Sequence, residues 1–593
     1  MRLSLKTRRF PRRFWKRAVV ERLSFWTSAI MVLCFILSSG ELATTVGYTL
    51  DESIFAVYAR VISLACVLLF WLQEVVRISM TKRPLFYYLW EHKLEAVLLV
   101  AMLAFPLAGI LGALVNGFNF SSSLAGTEIA MHCIVVVLGL LRGLRCLQNV
   151  SLSPGLIFIL SFALLIYIGT ALLLMPNATT VGNEGLSFID ALFFATSAVC
   201  VTGLVPVECL PATLSLTGQT ILAVLCQLGG LGVMVIIYFF AFFFDGGLSI
   251  RNRFAFGDLF SERNVSSIGV TLLTVVLFTF ITESIGAVAI YYSVVGNPAI
   301  ENPVFFSLFH AITAFCNSGF STLPSGLSDP GVSQCSTLLS SVSVLMILGA
   351  LGFPVVRDLS LVVWSRLRRR LFPRVDYVPA RLTTHTRVVL TTTIWVSLIG
   401  ALLMWLTQQE EFGRMVFLSV ASRTTGFDIG NTGNLTHASL FVLMVLMFIG
   451  GAPFSTAGGI KVTTFAIAIL ALKQYLLGRR DLEIFGRRLD SDIANQALAI
   501  VLLTLAMVGV VSVILSALHP EFDMRDVFFE AVSAVATVGL SCGITPYLCW
   551  GAKLCLIFAM FIGRIGVLLF FASFIFKRNP NNGARYPETT ITL

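Results

Sequence analysis

The sequence predicts an all-α integral membrane protein: four span–half-helix–span units around a pseudo-fourfold axis, with about four further spans at the N-terminus. Three observations predict it. Hydrophobic residues are 57% of the chain and charged residues only 12%, with a mean hydropathy of +0.90, which excludes a soluble enzyme. Apolar runs of the roughly 20 residues that cross a bilayer as a helix recur along the chain. Between them lie four shorter apolar stretches of one pattern, each closing on a glycine.

The placement of charge sets the orientation. The net charge is +10, and Arg2, Lys6, Arg8, Arg9, Arg12, Arg13, Lys16 and Arg17 crowd the N-terminus. Further clusters are Arg251/Arg253/Arg263, Arg366 to Arg374 with Arg381, Lys473 to Arg488, and Lys577/Arg578. Each falls between apolar runs, and the alternate loops carry almost no Lys or Arg. This positive-inside pattern puts both termini in the cytoplasm and requires an even number of spans. It also argues against nucleic acid as the partner of the basic charge. The first apolar run follows a basic segment, lacks a small-residue cleavage site and reads as a retained helix. The twelve cysteines form no C-x-x-C pair and no zinc spacing. Cys542 and Cys549 lie near the outer face, where pairing is chemically open.

Residues 1–150 form an N-terminal extension with spans near 25–47, 54–77, 94–115 and 129–149. Arg142 and Arg145, with Glu74 and Glu95, faintly resemble a voltage-sensing bundle. Two arginines at the cytoplasmic end of a span serve equally as positive-inside anchors.

The four units occupy 151–265, 266–380, 381–490 and 491–593, the last with a cytoplasmic tail. Their short stretches are Phe188–Gly203, Val304–Gly319, Glu411–Gly426 and Met524–Gly539, with alanine five places before each glycine at Ala198, Ala314, Ala421 and Ala534. Each lies between long apolar runs: 152–175 and 217–243, 268–295 and 336–364, 387–407 and 438–476, 494–518 and 550–576. Too short to span, they read as re-entrant half-helices.

Non-helical backbone at membrane depth is tolerated where protein or water surrounds it. Four such turns meeting on an axis would offer carbonyl oxygens in place of a cation's hydration shell. Glycine accepts the positive φ such a turn needs. The C-terminal ends of half-helices entering from outside would add negative dipole. Close helix packing is the competing reading of each glycine taken singly.

Gly450–Thr464, GGAPFSTAGGIKVTT, interrupts the run 438–476 with a helix-breaking composition. Unwound segments at this depth commonly line transport paths, and this one is expected to obstruct the path from below and to move. Arg564, in the last apolar run, is expected to face the cavity with a partner and to slow cations by its charge, the alternative being snorkelling to the interface. Asp190 reads as an N-cap or dipole partner, Glu283 and Glu530 as hydrogen-bonding braces, and Arg423 as a brace behind the third turn. His132 and His310 stand alone, so no nucleophile–base pair or metal cluster suggests an enzyme.

The residues from about 150 to 576 resemble the Ktr/Trk/HKT superfamily of potassium transporters. The resemblance rests on SAVCVTGL, AFCNSGFS, ASRTTGF and ATVGLS, on STAGGIK, on GRIG, and on QLGGLG and LGALGFP as second spans. It implies a selectivity filter at Val199, Cys200, Val201, Thr202 and Gly203; at Phe315, Cys316, Asn317, Ser318 and Gly319; at Ser422, Arg423, Thr424, Thr425 and Gly426; and at Val535, Ala536, Thr537, Val538 and Gly539. It implies a gate at Gly450, Gly451, Ala452, Pro453, Phe454, Ser455, Thr456, Ala457, Gly458, Gly459 and Lys461, with Arg564. The implied function is potassium uptake through a gated, channel-like pore, K+ being held by backbone carbonyls and Na+ being the other ion to consider. Family members with serine at the first filter position are associated with sodium, and Gly203 stands there.

The resemblance further implies a homodimer in the bacterial inner (plasma) membrane and a separate cytoplasmic nucleotide-sensing regulatory subunit, since the chain has no strand-embedded G-x-G-x-x-G. Arg357–Arg387 offers that subunit a docking surface, and anionic membrane lipids fit the same charge. No organic cofactor is expected. An ion-coupled secondary transporter with alternating access is the alternative, because a broken helix suits it too.

Overall fold

The computed structural model describes residues 154–180, 185–232, 268–298, 300–371, 381–430, 432–478 and 481–574, with short stretches between 30 and 135. The chain is mostly helical. A long helix, a short helix, a turn and a second helix follow one another in each of four segments. The first has α1 (Pro154–Leu173), α2 (Phe188–Val199) and α3 (Leu216–Leu231). The second has α4 (Ile268–Val294), α5 (Pro303–Phe315), α6 (Ser336–Ala350) and α7 (Phe353–Leu371). The third has α8 (Thr384–Gln408), α9 (Phe412–Ala421), α10 (His437–Phe448) and α11 (Val462–Leu476). A two-stranded hairpin, β1 (Leu482–Ile484) with β2 (Arg487–Leu489), precedes the fourth. That segment has α12 (Ser491–Leu518), α13 (Met524–Val535), α14 (Trp550–Ile565) and α15 (Val567–Phe574).

Several starts follow from hydroxyl caps. Ser187, Ser215, Thr383 and Thr436 each accept a hydrogen bond from the backbone N–H three residues on, at the starts of α2, α3, α8 and α10, satisfying donors that a helix leaves free. Of the two roles open to Asp190, N-cap and dipole partner, the cap falls to Ser187, and Asp190 sits in the first turn of α2.

Leu273–Val294, Thr384–Gln408 and Asp492–Leu518 are long and apolar enough to cross a membrane. Two further pairs qualify only when joined, and here the structure departs from expectation. The runs 336–364 and 550–576 are not straight: α6 and α7 meet at 101°, and α14 and α15 at 91°. Gly352 and Gly566 sit at these corners with φ of 81° and 95°, a region glycine enters without a Cβ clash. The run 438–476 is broken as expected, but between Ile449 and Lys461, and Val462–Thr464 already belong to α11.

The core gathers around the four short helices. Phe193, Phe194, Phe309, Phe315 and Phe529 on them, and Phe320 and Phe427 just after two of the glycines, are fully buried. The long helices are apolar outward: Tyr167, Phe280, Ile285, Trp395, Leu406, Leu502 and Val513 are exposed. Apolar surface on this scale marks a surface made for lipid rather than water.

Most of the N-terminal extension lies outside the described residues, including Glu95, Arg142 and Arg145, as do Arg251, Arg253, Arg263, Lys577 and Arg578. Cys34, Val67, Phe70, Met102, Ile134 and Val135 form one buried cluster, with members from each of the four expected spans.

Candidate ion pathway

The four turns expected from sequence come together in cyclic order. Where each glycine has its hydrogen, a Cβ would run into a backbone carbonyl of the next turn. Gly203 faces the oxygen of Ser318, Gly319 that of Thr425, Gly426 that of Val538, and Gly539 that of Thr202. The succession returns to its start, so the turns enclose a common axis. All four glycines have positive φ, between 67° and 99°.

Two residues before each glycine the backbone is left-handed again, and here the residue carries a side chain: Val201, Asn317, Thr424 and Thr537, with φ of 56°, 59°, 74° and 50°. Left-handed backbone costs such residues about 1–2 kcal/mol each. Strain of this kind persists where the surroundings over-determine it and clusters at functional sites. Fourfold recurrence at one register position makes it a property of the site.

Hydrogen bonding explains how the turns hold that shape. The N–H of Thr202 donates to the Ser197 carbonyl (2.7 Å), that of Ser318 to Thr313 (2.8 Å) and that of Val538 to Ser533 (2.8 Å). The third turn differs by one place, with the Gly426 N–H donating to Ala421 (3.0 Å). Ser197 Oγ and Ser533 Oγ accept from the N–H of Gly203 (3.0 Å) and Gly539 (3.1 Å). The donors thus point back into the short helices. Among the described residues the carbonyls of Thr202, Ser318, Thr425 and Val538 accept no hydrogen bond. The hydroxyls of Thr202, Thr424 and Thr537 are buried without a partner as well, and an orphaned buried polar group costs about 1–3 kcal/mol. Of the residues implied for the filter, Val199, Phe315 and Val535 are the last residues of α2, α5 and α13, and Ser422 is the C-cap of α9.

The second helices reach this centre through glycines. A Cβ at Gly229, Gly349 or Gly563 would strike the carbonyl of Val199, Phe315 or Val535. These glycines belong to QLGGLG, LGALGFP and GRIG, whose sequences alone do not specify the contact.

The loop 449–461 lies against three of the turns. Gly458 abuts Thr537, Gly459 lies 3.1 Å (as an added Cβ) from the Ala536 carbonyl, and Gly450 is close to Thr424. Arg423 donates to the Gly450 carbonyl (3.1 Å) and to Ser397 Oγ on α8 (3.2 Å), so it braces the third turn and the loop together. The Thr456 hydroxyl donates to the Phe315 carbonyl (3.1 Å). Lys461 Nζ donates back to the Ala457 carbonyl (2.8 Å). Arg564 donates to the carbonyls of Thr456 and Gly229 (2.7 Å to the latter). A guanidinium held by two carbonyls meets the need for a partner that its depth imposes.

The remaining ionisable residues brace the assembly. Lys553 on α14 pairs with Asp190 (2.6 Å) and reaches the Pro206 carbonyl (3.3 Å), joining the fourth segment to the first. Glu283 is buried beside Cys316 Sγ (3.9 Å), and Glu530 accepts from the Thr545 hydroxyl. His310 contacts the Phe306 carbonyl (2.9 Å) and Ser321 Oγ (3.0 Å) and faces Phe427. Cys542 and Cys549 are free thiols.

Comparison with known proteins gives a consistent result. The family model TrkH, described as cation transport protein, matches residues 156–581. The potassium/sodium uptake protein NtpJ of Enterococcus hirae is 32% identical over 457 residues, 74% of this chain and 97% of that protein. The Ktr system potassium uptake protein B of Bacillus subtilis is 31% identical over 462 residues, 75% of this chain and 97% of that protein. Among solved structures, the potassium transporter TrkH from Vibrio parahaemolyticus shares the fold, with a TM-score of 0.56 at 17% identity over 82% of this chain and 98% of that one. These relatives are transporters, not enzymes.

Proposed function

This chain belongs to the TrkH family of cation transport proteins, a family of membrane transporters, and from that premise we propose that it takes up potassium through a gated, channel-like pore. The observation that carries the reading is the closed succession of glycine-to-carbonyl approaches, Gly203 to Ser318, Gly319 to Thr425, Gly426 to Val538 and Gly539 to Thr202. Carbonyls without hydrogen bonds on four turns about one axis are suited to replace an ion's water shell. The buried threonine hydroxyls without partners support a hydrated, ion-bearing path. The names of the relatives, potassium/sodium and potassium uptake proteins, support the choice of ion, with sodium as the competitor.

In this reading the four segments are four pore units, 151–265, 266–380, 381–490 and 491–593, and 1–150 is an accessory bundle. The loop from Gly450 to Lys461 is the gate, and Arg564 holds it closed while opposing cation entry by its charge. The basic clusters support cytoplasmic termini in a plasma membrane. A second copy of the chain and a separate nucleotide-sensing subunit complete the proposal, with Arg357–Arg387 as the docking surface.

A second reading, an ion-coupled carrier with alternating access, is favoured by the break in the helix at 449–461. Flux separates them. The full chain in liposomes, and in cells lacking potassium uptake, is expected to restore growth at low potassium and to pass K+ passively down its electrochemical gradient. Saturation at low turnover together with a strict requirement for a Na+ or H+ gradient would favour the carrier.

A further inference from the structure

We infer that Thr456 and Asn317 form a latch between gate and filter, so that ion discrimination changes whenever the loop moves. The inference rests on the filter and gate reading above and adds a link that neither part implies alone.

Thr456 is the loop residue most firmly tied to the turns. Its hydroxyl donates to the Phe315 carbonyl (3.1 Å) and meets the Asn317 amide (2.8 Å). The other end of that amide meets the Thr425 hydroxyl (2.7 Å). The Thr456 N–H donates to the Gly349 carbonyl (3.3 Å), and its own carbonyl accepts from Arg564. Thr456, Asn317 and Thr425 are all buried. Side chains therefore form an unbroken chain from the loop, through the second turn, to the third. The chain ends at the residue whose carbonyl lies against Gly319.

The physical consequence follows from burial. Asn317 is in the left-handed region (φ 59°) at the register position that Val201, Thr424 and Thr537 share in the other turns, and of the four it is the one whose side chain hydrogen-bonds to the loop. If the loop withdraws, the amide, buried in the closed arrangement, loses Thr456. Losing one partner of a buried amide is costly, so the side chain either follows the loop or shifts onto its remaining partners, the Thr425 hydroxyl and, with its oxygen and nitrogen exchanged, the Met346 carbonyl and the Ala350 N–H of α6. Each route disturbs Thr425 as well. The first turn is outside this chain, because Val201 stands at the position of Asn317 and offers no hydrogen bond. The latch thus acts on two turns of four, and Thr456 and Asn317 are positioning residues for the carbonyls around Gly319.

The test is the ratio of Na+ to K+ uptake, measured beside total flux, for the full chain in liposomes. Thr456→Val keeps the shape and removes the hydroxyl. It is expected to shift the ratio by about three- to tenfold, the worth of one hydrogen bond, and Thr456→Ser should restore the parent ratio. Thr425→Val cuts the other end without touching the loop and should shift the ratio in the same direction, which keeps the test open if Thr456→Val fails to fold. Combining Thr456→Val with Asn317→Ala should add little to either alone. Unchanged ratios in both valine variants, whatever happens to flux, overturn the latch. Gly319→Ser in the same assay separates the failures. If it shifts the ratio while the valine variants do not, only the latch falls. If it too leaves the ratio unchanged, the filter assignment falls first.

Discussion

Gly203→Ser and Gly539→Ser are expected to lower the preference for potassium over sodium by about tenfold or more. Two costs combine. The left-handed backbone disfavours any residue with a Cβ by about 1–2 kcal/mol, a factor of roughly 5–30 in an equilibrium. The second cost is steric and larger. The new Cβ would collide with the carbonyl of Ser318 at the first position and of Thr202 at the second. Relief requires that carbonyl, which belongs to the neighbouring turn, to move away from its place around the axis. One substitution therefore distorts two turns, and a ring fitted to one ion loses its fit. The same reasoning covers Gly426→Ser, which meets Val538. Growth of potassium-uptake-deficient cells at low potassium, with ion competition, checks the expectation. Variants that grow like the parent with unchanged ion preference would contradict it.

Arg564→Ala is expected to raise cation flux, also by about tenfold or more. Unit charges 4 Å apart repel by about 4 kcal/mol at an effective dielectric of 20, and by about 1 kcal/mol in water. Removing a fixed positive charge from a cation path thus matters unless the site is fully watery. The substitution also frees the Thr456 and Gly229 carbonyls, releasing the loop from the fourth segment. Both effects have the same sign. Tracer uptake into liposomes at matched protein density measures the gain. Flux equal to the parent's would mean that Arg564 is an anchor with no part in conduction.

The parts of the site written in small, invariant units were legible from sequence. The glycines and the alanines five places earlier recur because backbone geometry, rather than a particular side chain, dictates them. The short helices followed from apolar runs too brief to span. The left-handed positions two places earlier were hidden, because Val201, Asn317, Thr424 and Thr537 share a conformation and no chemistry. The bends were hidden from hydropathy, which measures apolarity and is blind to direction. A signal did exist: Gly229 and Gly232, Gly349 and Gly352, Gly563 and Gly566 share a three-residue spacing. In each pair the first glycine lets a helix approach a carbonyl, and the second, with φ of 79°, 81° and 95°, ends the helix. Lys553 with Asp190, and Thr456 with Asn317, were out of reach for another reason. Such pairs join residues far apart in the chain, and nothing in local sequence specifies them.

If the four backbone turns hold a cation by their carbonyl oxygens, that ion sits on the axis they enclose. Anomalous scattering from crystals of the full chain grown with Tl+ or Rb+ tests it most directly. The expected result is a peak on the axis, in contact with the carbonyls of Thr202, Ser318, Thr425 and Val538. Ion density elsewhere in the protein, with nothing between those four oxygens, would contradict it.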